Sequence, residues 1–168
     1  MRAVVARTAG YAPLAVVLGS FRGLMFHSGA ADKRGMFEWK EDLSIGMPHI
    51  DKQHVELFRL ADNFYRAMST GQGKEALEQT LDRLVAYTEG HFSAEERLMR
   101  LNDYTAQTRH KLEHRELADQ VRKFQADFKS GRTTMAVPVL QFLRTWLEQH
   151  IKGSDMQVAV FVRQRTAA

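Results

Sequence analysis

Residues 91–114 read HFSAEERLMRLNDYTAQTRHKLEH, with His91 and Glu95 four residues apart and His110 and His114 four apart. On an α-helix, positions i and i+4 stack on one face, so each pair forms a two-toothed claw. The polar stretch between them, Arg100 to Tyr104, suits the end of one helix and a reversal of the chain. Two consecutive helices that each offer a claw could hold a metal ion between them.

The spacing continues outward from this stretch. Leu77, Leu81, Leu84, Val85, Thr88, His91, Phe92, Glu95 and Leu98 predict a helix over about Lys74 to Leu101. His110, His114, Leu117, Val121 and Phe124 predict the next over about Thr108 to Phe128, closed by SGRTT at Ser130 to Thr134. Upstream, His54, Leu57, Phe58, Ala61, Phe64, Tyr65 and Met68 mark a helix from about Lys52 to Ser69. Gly46 and Pro48 precede it as punctuation, Asp51 is placed to cap it, and TGQG at Thr70 to Gly73 ends it. Leu140, Leu143, Leu147 and His150 mark a last long helix over about Val137 to Lys152. Pro138 suits its first turn, where a missing N–H costs nothing. Four amphipathic helices of similar length with short connections predict an all-α, up-down-up-down antiparallel four-helix bundle. An N-terminal arm anchored by Trp39 and a short C-terminal segment, Met156 to Arg165, complete it, with Tyr104 a structural residue of a connection.

Composition narrows the chemistry. The chain has 168 residues, 44% hydrophobic and 26% charged, which fits one domain with a substantial core. Cysteine is absent, which excludes disulfides, thiolate zinc sites, iron–sulfur clusters and cysteine nucleophiles. Any metal must be held by nitrogen and oxygen. The formal net charge of +4 is confined to Met1–Gly35, where Arg2, Arg7, Arg22, Lys33 and Arg34 face one acid, Asp32. Met36 to Ala168 carries 19 basic and 19 acidic residues, and that neutral body argues against nucleic acid as a partner. Residues 1–35 are read as a basic leader or upstream extension, expected to be disordered or weakly helical, with Met36 a natural start. Its apolar run, Tyr11 to Gly19, is too short to span a membrane, so no membrane partner is expected. Arg22 and His27 interrupt the apolar section that a secretory signal needs, so a cytoplasmic location is the expectation and export the lesser alternative.

A lone histidine on an apolar face is usually a hydrogen-bonded core residue. Here His54, His91, His110, His114 and His150 fall on the inward stripes of all four predicted helices. Five buried imidazoles without a shared cation would be hard to satisfy, and Glu95 on a core face is disfavoured without one. Asp155 lies five residues after His150, about 140° round an ideal helix, so it can face the same centre only if the helix is interrupted. Gly153 and Ser154 are read as that interruption, with Gly153 in the left-handed conformation that ends helices. Seven such donors exceed what one metal uses and suit two metals bridged by carboxylates, iron or manganese before zinc. His49, before the cap, is read as exposed or a donor to a ligand. Glu96 and Glu113 point about 100° away from their neighbouring candidates and are assigned to a solvated face.

SIGMPHIDKQH (Ser44 to His54), HFSAEE (His91 to Glu96), HKLEH (His110 to His114) and WLEQHIKGSD (Trp146 to Asp155) together resemble the hemerythrin family, specifically the bacterial single-domain bacteriohemerythrins. The resemblance covers about Met36 to Phe161, within a bundle reaching about Arg165. It implies two iron ions, one on His110, His114 and His150 and the other on His54 and His91. Glu95, Asp155 and an oxo or hydroxo group would bridge both. The second iron would then be one ligand short, and dioxygen would bind there. Trp146, Leu147 and Ile151, flanking His150, would line the O2 pocket.

The implied function is reversible dioxygen binding for storage, delivery or sensing by a monomer that is not an enzyme. An unidentified O2-consuming enzyme or signalling protein would be its partner. The alternatives are a di-iron enzyme acting on O2, peroxide or nitric oxide, and an iron-handling module. Ferritin-like di-iron enzymes use two E-x-x-H motifs and more carboxylates, whereas one HxxxE occurs here amid five histidines.

Overall fold

A computed structural model describes residues 35–132 and 136–166; the leader reading, His27 and residues 133–135 lie outside them. Every regular element among the described residues is helical. A 3₁₀ turn at Glu41–Leu43 leads into α1 (Pro48–Ser69), α2 (Lys74–Leu101), α3 (Gln107–Lys129) and α4 (Ala136–His150). A π turn, Ile151–Asp155, joins α4 to a final helix, α5 (Met156–Thr166). This is the expected four-helix bundle. His54 lies near the start of α1, Glu95 near the end of α2, His110 near the start of α3 and His150 at the end of α4. In an antiparallel up-down-up-down arrangement those alternating positions fall at one end. No described helix is long and apolar enough to cross a membrane.

The predicted stripes are the buried ones. Leu57, Phe58, Ala61, Phe64, Leu81, Leu84, Leu117, Val121, Phe124, Leu140 and Leu143 are all in the core. Each fully buried Leu or Phe contributes roughly 1.5–3 kcal/mol, which offsets the chain entropy of ordering four helices. Tyr65, Met68, Leu77, Val85 and Leu98 are only half-buried and pack on its flank. Met99 and Phe128 are buried although neither was on a predicted stripe. Tyr104 is buried in the α2–α3 connection, edge-on to Phe161 at 5.2 Å. Gly71 and Gly131 take positive φ just past α1 and α3, the conformation that lets the next N–H turn back onto an end carbonyl: Gln72 onto Ala67 at 3.0 Å and Arg132 onto Asp127 at 2.9 Å.

Two local expectations are corrected. The first helix begins at Pro48, not near Lys52, and Asp51 lies inside its first turn. Pro48 loses nothing at the first helical position, and Asp51 caps by reaching backward. Its Oδ1 accepts from the Ile45 N–H at 2.8 Å, and its Oδ2 from the Gly46 and Met47 N–H groups at 3.1 Å each. The fourth helix is not broken at Gly153, whose φ is not in the positive region. The chain instead widens into the π turn, which closes on the fifth residue rather than the fourth and so returns Asp155 to the face of His150. An added Cβ at Gly153 meets nothing within 4 Å. Gly153→Ala is therefore expected to change unfolding free energy by less than about 1 kcal/mol, a helix break there would cost more, and denaturant melts of the two proteins decide.

Candidate metal centre

All seven candidate ligands come together in the interior. His54, His91, Glu95, His110, His114, His150 and Asp155 are each no more than 4% exposed. The Nε2 atoms of His110 and His114 are 3.0 Å apart, and those of His114 and His150 3.1 Å. Asp155 Oδ1 lies 3.2 Å from His110 Nε2 and 3.1 Å from His150 Nε2, while its Oδ2 is 3.3 Å from His54 Nε2. Glu95 Oε2 lies 3.1 Å from His114 Nε2 and 3.6 Å from His91 Nε2, and Oε1 3.7 Å from His54 Nε2. The donors form two groups, one of Glu95, His110, His114, His150 and Asp155 and one of His54, His91 and Glu95. Glu95 is common to both, and Asp155 reaches His54 across the divide.

The arrangement fits cations. Two donors about 2.1 Å from one ion and at right angles around it lie about 3 Å apart, the spacing of His114 Nε2 from the Nε2 atoms of His110 and His150. Within the cluster, His54 Nε2, Glu95 Oε2 and both Asp155 carboxylate oxygens are buried without a hydrogen-bond partner. Each unsatisfied buried group of this kind costs roughly 1–3 kcal/mol or more when charged, so acceptors facing acceptors make sense around positive charge.

Without metal, protons stand in for it. Burial opposes charge on His54, but the Asp155 and Glu95 carboxylates outweigh it and raise its pKa to about 9. Burial likewise opposes charge on His150, which Asp155, Glu113 and Glu95 raise to about 10. At His91 burial wins and lowers the pKa to about 4. Burial also works against ionised Asp155 and Glu95, yet the surrounding imidazoles hold both below the usual carboxylate range.

These signs set a pH dependence for the metal-free chain. The raised values at His54 and His150 stabilise the fold fully below the ordinary 6.5, and that contribution is lost as pH rises to about 9 and about 10. The lowered value at His91 stabilises above 6.5, and that contribution is lost as pH falls through about 4. Thermal midpoints after chelation are expected to peak near the ordinary value of 6.5 and fall on both sides. A midpoint rising steadily from neutral to pH 10 would contradict the proton assignments at His54 and His150.

The outer edges of the imidazoles correct one assignment and add a residue. Glu113, assigned to a solvated face, turns toward α4: its Oε2 lies 3.1 Å from His150 Nδ1 and accepts a 2.5 Å hydrogen bond from Ser154 Oγ. Burial works against its charge, but His150 and Ser154 bring its pKa down to about 2. Glu96 Oε1 stands 3.6 Å from His114 Nδ1. Gln53, not singled out in the sequence, places Oε1 3.1 Å from His91 Nδ1, and exposed His49 lies 3.4 Å from its amide nitrogen. Carboxylates and amides at the outer nitrogens of such histidines fix ring orientation and tautomer. A readable signal existed: each is the immediate sequence neighbour of a candidate ligand.

Beyond the cluster, a small cavity of about 20 Å³ is lined by Leu57, Thr88, Leu117 and Leu147, each one turn from a site histidine, with Ala61, Leu84, Val121 and Leu143. That is room for one very small molecule. Thr88 donates its hydroxyl proton to the Leu84 carbonyl at 2.8 Å, so its lining offers no free donor. Of the three expected pocket residues only Leu147 lines this cavity. Trp146 lies flat on His150, ring centroids 4.2 Å apart and planes 18° apart, and Ile151 is buried at the start of the π turn. Trp39 packs from the arm over His54 at 6.4 Å, and edge-on to Phe58.

Residues 46–161 match the family model described as Hemerythrin HHE cation binding domain. The chain is 31% identical over 121 residues to the bacteriohemerythrin of Stenotrophomonas maltophilia, spanning 72% of this chain and 78% of the relative. It is 29% identical over 128 residues to the bacteriohemerythrin of Clostridium acetobutylicum, spanning 73% and 98%. The hemerythrin-like protein of Naegleria gruberi is 33% identical over 121 residues, spanning 72% and 89%. Among solved structures, a wild-type hemerythrin superposes with a TM-score of 0.69 at 26% identity, covering 74% of this chain and 95% of that one. A leucine-to-alanine variant of a hemerythrin gives 0.71 at 24% identity, covering 76% and 98%, a likeness of fold.

Proposed function

The chain belongs to the hemerythrin family, and from that premise we propose that it binds dioxygen reversibly at a pair of iron ions held in the bundle. The observation that carries the reading is the unequal pair of donor groups sharing Glu95, beside a cavity sized for a very small molecule. His110, His114 and His150 would hold one ion, His54 and His91 the other, and Glu95 and Asp155 would reach both. Bound iron would supply the electrons and the open coordination position that dioxygen needs.

The remaining work falls to the chain. Five of the seven donors are imidazoles and only two are carboxylates, where a carboxylate-rich shell would push electron density toward cleavage of bound oxygen. The aliphatic lining offers no free proton donor, and a dry lining discourages water-assisted loss of reduced oxygen. These features favour a carrier over an enzyme. The test is to add O2 to the reduced iron protein and then apply vacuum: a coloured adduct that disappears and returns supports the carrier. Steady consumption of reductant without release would identify an enzyme instead.

Leu147→Ala opens the lining beside His150. It is expected to shorten the time over which oxygen uptake stays reversible several-fold at unchanged iron content, measured by repeated oxygenation cycles. An unchanged lifetime would remove Leu147 from that role. The reading extends to a cytoplasmic monomer that hands oxygen to, or reports it to, another protein.

A further inference from the structure

The site imidazoles are not backed alike at their outer nitrogens. His150 Nδ1 has a carboxylate oxygen, Glu113 Oε2, at 3.1 Å. His91 Nδ1 has a neutral amide oxygen, Gln53 Oε1, at 3.1 Å. His114 Nδ1 has Glu96 Oε1 farther off, at 3.6 Å, and like His54 Nδ1, His110 Nδ1 and His150 Nδ1 it makes no in-line hydrogen bond. The Glu113 oxygen beside His150 is also the one that accepts from Ser154 Oγ at 2.5 Å, and Ser154 stands inside the π turn, 8% exposed. One widened turn therefore delivers two side chains at once, Asp155 to the cluster and Ser154 to the outer carboxylate.

We propose that Glu113, clamped by Ser154, is a positioning residue for His150 that sets the affinity of the three-histidine metal position. The proposal rests on the metal-centre reading above. An imidazole ligates through a nitrogen that carries no proton, so His150 can bind at Nε2 only with its N–H at Nδ1. A carboxylate beside Nδ1 favours that tautomer and makes Nε2 a stronger donor. Without metal, the Nδ1 to Oε2 contact is close but off the N–H axis, since Nδ1 counts no hydrogen-bond partner there. A ring turn that aims Nε2 at a bound cation would bring the Nδ1–H into line with that oxygen. Ser154 keeps the oxygen in place against Arg109, whose Nε lies 3.5 Å from the other carboxylate oxygen. The two-histidine position has only the Gln53 amide behind it, so the effect belongs to one position and not to both.

The experiment is a Co²⁺ titration of the chelator-treated full chain, followed by its visible ligand-field bands and by calorimetry. The parent chain is expected to bind two ions in two resolved steps. Glu113→Gln is expected to weaken one step about 10- to 100-fold and to leave the other within about twofold. Ser154→Ala is expected to weaken the same step by a smaller factor and to add nothing in the Glu113→Gln background. It keeps both Glu113 and His150, so it carries the test should Glu113→Gln fail to fold. Thermal midpoints of the metal-free variants separate positioning from packing, because a merely structural residue would lower the midpoint and weaken both steps together. Equal weakening of both steps, or neither step moved beyond about twofold by either variant, overturns the proposal. A parent chain that takes up no cobalt overturns the metal-centre reading and the proposal with it.

Discussion

Glu95→Ala is expected to yield a folded bundle that retains neither metal ion. Glu95 is the one side chain common to both donor groups, and its two oxygens lie between 3.1 and 3.8 Å from the Nε2 atoms of His54, His91, His110 and His114. Its loss deprives each position of a donor and removes one of two negative charges that would offset the positive charge of adjacent ions. Loss of a group that merely supports a ligand costs about 10- to 100-fold in affinity, so loss of a shared ligand should exceed 100-fold at each position. The fold should survive, because most of the core lies along the helices away from the cluster. Metal content after dialysis, with helix content as the control, checks this: the variant should keep fewer than one ion per chain where the parent keeps two. Retention of two ions would mean that Glu95 is not shared.

The second large effect lies at the other end of the bundle. Phe64 is fully buried and packs edge-to-face on Phe124 at 6.2 Å and on Phe128 at 5.8 Å. It sits ten residues beyond His54 on α1, about 15 Å along the helix axis. Phe64→Ala removes a ring from a packed aromatic cluster and leaves a void, which should cost roughly 3–5 kcal/mol of unfolding free energy. In a chain of this size that lowers the thermal midpoint by roughly 6–20 °C. Metal stoichiometry at low temperature should be unchanged, because no ligand moves. Loss of metal together with the midpoint would show that the two ends are coupled more tightly than their separation implies.

The contrast between those two residues mirrors what could be read from sequence. Apolar residues at i, i+3 and i+4 announced four helices and their buried faces, because burial at that period leaves a direct trace in residue type. Five histidines and Glu95 were legible for the opposite reason, polar residues standing where only apolar ones belong, whereas Asp155 stood off that stripe and was reached only by reading an interruption after His150. What escaped reading were features that depend on a neighbouring element. Pro48 looked like punctuation and Asp51 like a cap, yet the carboxylate caps by reaching back to three N–H groups, and the helix starts at the proline. Gly153 and Ser154 looked like a break, because a π turn and a helix end can share one local sequence. Glu113 and Gln53 each stand about 100° round their helix from a site histidine, a direction that is solvent on an isolated helix and the next helix in a bundle. The small cavity could not be inferred at all, since it is bounded by all four helices together.

The measurement that bears most directly on the account is an anomalous difference map at the iron edge from crystals of the iron-reconstituted protein. The account predicts two peaks inside the bundle, one against His110, His114 and His150, the other against His54 and His91, with Glu95 and Asp155 touching both. A single peak, or peaks outside this set of side chains, would contradict it.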